Sequence, residues 1–166
     1  YSFFMNHYNH HEKYMRHALI QAHKAGSLGE CPVGCVIVCD GKIIARAHNL
    51  RETGQDATLH AEMIAIRKAC RKLGSWRLQD CDLYVTLEPC PMCAGAIIQS
   101  RIHHVYFGAA DPKAGAVVSK DHLFEKAHNH TVGVTPGILE QPCGDILSDF
   151  FRLLREEKRS NPGSTK

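Results

Sequence analysis

Apolar positions along the chain change their period several times, and each change marks an element. From about His10 to Gly26 they recur every three or four residues, with Met15, Leu19, Ala22 and Ala25 on one stripe, which predicts an amphipathic helix. Val33–Cys39 is then a nearly unbroken apolar run, and Lys42–His48 is a second. The Asp40-Gly41 pair between them predicts a hairpin, because both residue types tolerate positive φ. Helical spacing returns over His60–Leu73, with Met63, Ile66, Cys70 and Leu73 expected inward and Arg67, Lys68, Arg71 and Lys72 outward. Leu83–Thr86 reads as a strand, Pro91–Ser100 as a helix and His104–Phe107 as a strand. A strand, helix and strand in that order predict a right-handed crossover between parallel neighbours. A last helix over Ile138–Lys158 carries Ile146, Phe150, Leu153 and Leu154 on one side. Outside the hairpin, helices and strands alternate, as in a layered α/β sandwich.

The 166 residues suit one domain, expected over 5–159. Tyr1–Phe4 precede Met5 and are set aside as foreign to the fold, while 160–166 read as a polar tail. An apolar content of 44% with 22% charged residues is ordinary for a soluble globular chain, and no stretch reads as a membrane span or secretory signal. Eight cysteines in such a chain point to a reducing compartment, hence the cytoplasm, with thiols serving as metal ligands or small core residues. The formal net charge of +3 decides little about partners. Basic residues do gather at the end (Arg152, Arg155, Lys158, Arg159, Lys166), where they could meet phosphates or simply solvate a helix.

The chemistry gathers at two places, His60-Ala61-Glu62 and Pro89-Cys90-Pro91-Met92-Cys93, each opening a predicted helix. Cysteines three apart share a helix face and can bind one ion together, and the positive helix end favours their thiolates. Pro91 suits a first helical turn, where its missing N–H costs nothing. With His60 the set is one nitrogen and two sulfurs. Structural zinc normally takes four protein ligands, whereas three leave a position for a water that the metal makes acidic. Glu62, two residues beyond His60, is a carboxylate placed to move the protons. A C-x-x-C alone could be a redox pair, and a further His or Cys could close a structural site. The two motifs together are more specific than either alone. Cys31, Cys35, Cys39, Cys70, Cys81 and Cys143 are expected to be core or surface thiols.

H-A-E followed by P-C-x-x-C resembles the zinc-dependent cytidine deaminase superfamily. More narrowly, TLEPCPMCAGAIIQSRIHHVYFGAADPKAG, HNLRE, Asn129–His130 and GILEQPCGDILSDFFRLLR resemble the bacterial tRNA-specific adenosine deaminases, over about His10–Lys158. That resemblance implies a three-layer α/β/α sandwich with a central five-stranded mixed sheet. It implies one Zn2+ per subunit on His60, Cys90 and Cys93 with a bound water, Glu62 as proton shuttle, and a homodimer. The implied reaction is hydrolysis of the wobble adenosine of a tRNA anticodon loop to inosine. Asn49 would hydrogen-bond the flipped base, Asp111 would contact the loop beside it, and Lys113, Phe151 and Arg152 would touch anticodon-loop nucleotides. The bland readings are a turn residue for Asn49, a cap for Asp111 and core for Phe151. A guanine or free-nucleoside deaminase with the same metal logic is the alternative. The chain departs from the family's Gly-Ser-Leu pattern at Ala116–Asp121, so the resemblance implies nothing about contacts there.

Overall fold

The computed structural model describes residues 2–126 and 128–163, with only helical backbone described for 2–9. Tyr1 of the expected extension and Ser164–Lys166 of the expected tail lie outside the described residues. Among the described residues four helices and five strands follow in the order α1 (Ser2–Ser27), β1 (Gly34–Cys39), β2 (Lys42–His48), α2 (Ala61–Leu73), β3 (Cys81–Leu87), α3 (Pro91–Gln99), β4 (His104–Ala109), β5 (Gly133–Thr135) and α4 (Glu140–Ser160). The strands form one sheet in the order β2-β1-β3-β4-β5. β1 runs antiparallel to both β2 and β3, whereas β3, β4 and β5 run parallel, so the sheet is mixed. The hairpin turns at Asp40 and Gly41, both at positive φ (50° and 71°), as the dipeptide predicts.

Alternation along the strands divides the core in two. Cys35, Ile37, Leu83, Val85, Val105 and Phe107 face one way, toward the inner sides of α2 and α3. Val36, Val38 and Tyr84 face the other, against Tyr14, Met15 and Ala18 of α1 and Cys143 of α4. Helices on both faces of the sheet make the expected three-layer α/β/α sandwich.

Close approach of α1 to the sheet depends on Gly34. A Cβ there would lie 1.9 Å from the Ala18 carbonyl oxygen and 2.5 Å from the Ala22 amide nitrogen, both backbone atoms. Neither can yield unless the helix lifts. Gly34→Ala is therefore expected to cost about 1–3 kcal/mol, read as a lowered denaturation midpoint at unchanged m-value.

Several elements differ from the sequence expectation. Helix α1 starts at Ser2 rather than His10. The buried stripe of α2 is Ala61, Glu62, Ala65 and Ala69. Met63, Ile66 and Cys70 are only half-buried at its edges, and Leu73 is exposed. Alanines meet alanines here, since Ala45 and Ala47 of β2 pack in the same cluster. The smallest side chains mark where helix and sheet come closest, so choosing the stripe by size rotates it by about one residue. Strand β5 and a short 3-10 turn at Leu123–Glu125 escape the apolar pattern, being three residues each. Helix α4 buries only Cys143 fully. Beyond it, Ile146 and Phe150 are half-buried, while Leu153 and Leu154 are exposed.

Candidate active site

The site lies at the carboxyl ends of β3 and β4, where ligands of parallel sheets bind. β3 delivers Glu88, Pro89 and Cys90, and β4 leads to Asp111. His60 is the N-cap of α2 and Cys90 the N-cap of α3, both in extended backbone. Neither side chain caps its own helix, so both turn toward each other instead. Pro91 occupies the start of α3, and Cys93 stands one turn in, fully buried.

His60 Nδ1 lies 3.6 Å from Cys90 Sγ and 3.6 Å from Cys93 Sγ. All three donor atoms fall within 4.8 Å of one another. A tetrahedral zinc at the usual bond lengths, about 2.05 Å to nitrogen and about 2.3 Å to sulfur, separates those atoms by about 3.6 Å. Spacing and donor chemistry therefore both fit the ion. Among the described residues no fourth His, Cys, Asp or Glu joins the group. The thiols are already polarised. Hydrogen bonding from Cys93, with His60 adding to it, pulls the Cys90 thiol down to about 4. Cys93 is pushed far up because it supplies that bond and is buried. The start of α3 favours a thiolate at this pair.

Glu62 is 4% exposed and borders the same cleft. Burial raises its carboxyl above the ordinary range, against hydrogen bonds from its own backbone N–H and from Cys93. A carboxyl poised upward in this way can take a proton and return it.

The cleft encloses about 600 Å3, within the size range of small-molecule sites. Asn49, Asp111 and Phe151 line it, as do His60 and Cys90 of the metal group. Asn49 is buried, donating to the Cys31 carbonyl at 3.2 Å and accepting the Arg51 N–H at 3.1 Å. Asp111 accepts the N–H groups of Lys113 and Ala114, both at 3.1 Å, so it closes a turn as well as facing the cleft. Lys113 is exposed on that turn and is not part of the lining. Arg152 also points elsewhere, pairing with Asp149 at 3.6 Å and Glu156 at 3.5 Å on its own helix. Phe150, Phe151, Leu154 and Lys158 do face the cleft. Much of the apolar side of α4 is thus a wall of the site rather than core.

Two buried carboxylates that the motifs left without a role hold the rims. Glu30, 1% exposed, accepts the N–H groups of Glu52 and Thr53 and the Thr53 hydroxyl, anchoring the turn after Asn49. Glu88, 2% exposed, accepts the N–H groups of Asp111, Val117, Val118 and Ser119 at 3.0–3.2 Å, together with the Ser119 hydroxyl. Burial alone would raise its carboxyl, but the bonds from Ser119, Val118 and Asp111 outweigh it and hold the group below its usual range. The unusual Ala116–Asp121 segment is therefore tied down by its backbone, whatever its side chains. An acid inside an otherwise apolar stretch is the one sequence signal these two residues offered.

Residues 8–109 match the model of the cytidine and deoxycytidylate deaminase zinc-binding region. A tRNA-specific adenosine deaminase of Bacillus subtilis is 53% identical over 150 residues, covering 90% of this chain and 93% of that protein. A solved structure of a tRNA:A34 deaminase, from work on A-to-I editing at the wobble position of transfer RNA, aligns with a TM-score of 0.79 and 46% identity. It covers 81% of this chain and 99% of that one. The structure of guanine deaminase from Bacillus subtilis aligns with a TM-score of 0.60 and 36% identity, over 88% of this chain and 94% of that one. With three metal donors at zinc spacing and these relatives, the chain belongs to the zinc-binding cytidine and deoxycytidylate deaminase family, on the branch of the tRNA-specific adenosine deaminases.

Proposed function

We propose that residues 5–159 form one zinc-dependent deaminase domain that hydrolyses the wobble adenosine of a tRNA anticodon loop to inosine, releasing ammonia. The observation that carries this reading is the open His60, Cys90 and Cys93 group with buried Glu62 beside it, in a cleft walled by the apolar side of α4. Zinc bound there supplies an acidified water able to attack near neutral pH. Glu62 takes a proton from the attacking water and delivers it to the ring nitrogen, then carries the proton of the added hydroxyl to the departing amine, which leaves as ammonia. Asn49 keeps a hydrogen-bonding edge toward the base, and its bonds to Cys31 and Arg51 hold it in place. Phe151, 44% exposed at the mouth, offers a face on which an unpaired base can stack. Asp111, Lys113 and Arg152 are assigned to the surrounding loop nucleotides, with Lys158 of the cleft wall as a further phosphate contact.

A homodimer is part of the same proposal. Leu153 and Leu154 remain 52% and 36% exposed on α4, apolar surface that RNA or a second subunit would cover. The compartment proposed is the cytoplasm. No helix among the described residues is long and apolar enough to cross a membrane.

The alternative, a guanine or free-nucleoside deaminase, shares the metal group. A base alone would fill only the inner part of the cleft and leave the α4 wall uncovered. The zinc-loaded protein is expected to form inosine in an anticodon stem-loop at least ~100-fold faster, per kcat/KM, than it turns over guanine, cytosine or cytidine. Turnover confined to the free compounds would reject the tRNA assignment.

A further inference from the structure

Cys39 ends β1 and Cys81 begins β3, and the two are direct partners in the antiparallel ladder. The hydrogen bonds around them fix which kind of pair they form. The Cys81 N–H is given to the Leu78 carbonyl at 3.0 Å rather than across to β1. The Gly34 N–H points to Thr86 Oγ1 on β3, so the even positions of β1 address β3 and the odd ones, Cys39 included, address β2. Cys39 and Cys81 therefore occupy a non-hydrogen-bonded position, where Cα atoms approach to about 4.5 Å and side chains lie closest. That separation falls within the range disulfides span, about 4.4–6.8 Å. Both side chains pack in the cluster under α2 and α3, and after burial the neighbouring Cys39 thiol is the main influence raising the Cys81 thiol. Both are free thiols in the structure.

We propose that Cys39 and Cys81 form a modification site, a cross-strand dithiol that small-molecule disulfides oxidise to an intramolecular disulfide. Cys39 is half-buried next to the hairpin turn, whereas Cys81 is only 1% exposed. Entry is through Cys39. Its thiolate attacks one sulfur of the reagent, expelling a first thiol and leaving a mixed disulfide. The Cys81 sulfur then gives up its proton and attacks Cys39, and the second thiolate leaves with that proton. Two cysteines lose two electrons, and one reagent disulfide becomes two thiols. Burial pushes the Cys81 thiol up to about 12, which makes the second step the slow one. The pair stands at the end of the sheet away from the cleft, roughly 20 Å along β3 from Leu87, which lines the cleft. Closing it ties the hairpin to the central strand without touching the metal group.

The test exposes the zinc-loaded protein to oxidised glutathione and follows intact mass, peptide map, zinc content and Tm. The expected product has lost two hydrogens and carries a Cys39–Cys81 linked peptide. It retains its zinc, melts on the order of 5–10 °C higher, and reverts with dithiothreitol. Cys39→Ser and Cys81→Ser, each shown folded by its own melting curve, are both expected to abolish the linkage. A glutathione adduct that stays on Cys39, a link that maps to other cysteines, or no change in mass would each overturn the proposal. Because the readout is mass rather than turnover, its failure is distinct from failure of the deaminase assignment.

Discussion

Glu62→Ala is expected to leave a folded protein that retains its zinc but turns over at least ~100-fold more slowly. The carboxyl is buried at the start of α2, and burial alone disfavours its charge. No basic side chain pairs with it among the described residues. Its removal therefore relieves a desolvation cost rather than breaking an ion pair, and Tm should stay level or rise. The three atoms at zinc spacing belong to His60, Cys90 and Cys93 and not to Glu62, so zinc content should be unchanged. Single-turnover rates, zinc stoichiometry and a melting curve on the same preparation decide the matter. Turnover within a few-fold of the parent, or loss of zinc, would show that Glu62 does not shuttle the proton.

The second large effect is on stability. Glu88→Ala removes the nearly buried acceptor of four backbone N–H groups and one hydroxyl. Leaving donors unsatisfied around a lost buried charge is expected to cost about 3–5 kcal/mol. The segment these bonds hold includes Asp111 on the cleft rim, so KM should rise more than kcat falls in whatever protein remains folded. Glu88→Gln keeps the shape and one acceptor oxygen and should recover part of both losses. Denaturant unfolding of the three proteins side by side measures this. Equal stability of Glu88→Ala and the parent would mean the segment holds itself.

The two experiments probe different kinds of legibility. Glu62 stands out in the sequence because it lies two residues from His60, inside a motif. Glu88 lies in an equally recognisable stretch, but its role depends on chain that returns some thirty residues later. No local pattern reports that a carboxylate will meet the N–H groups of Val117, Val118 and Ser119. Glu30 and the turn at Glu52–Thr53 repeat the situation on the other rim.

The same division runs through the fold. The Asp40-Gly41 hairpin and the opening of α3 at Pro91 depend on φ preferences of single residues, and sequence reads those directly. The alanine stripe of α2 depends on how close a sheet comes, which side-chain size along the helix does not report. The apolar period of α4 matches a helix, but its apolar side meets the cleft rather than the core. Phe150, Phe151 and Leu154 line a cleft that exists only once β3, α2 and α4 are assembled.

The sequence by itself singled out the candidate metal donors, a carboxylate beside them, the hairpin and most of the helices and strands, because each follows from residue type and spacing over a few positions. Only the tertiary structure decided which side chains hold the rims, which wall the cleft and which cysteines face each other. Those depend on where distant segments meet, and the backbone N–H groups and carbonyls that settle them are the same at every position in the sequence.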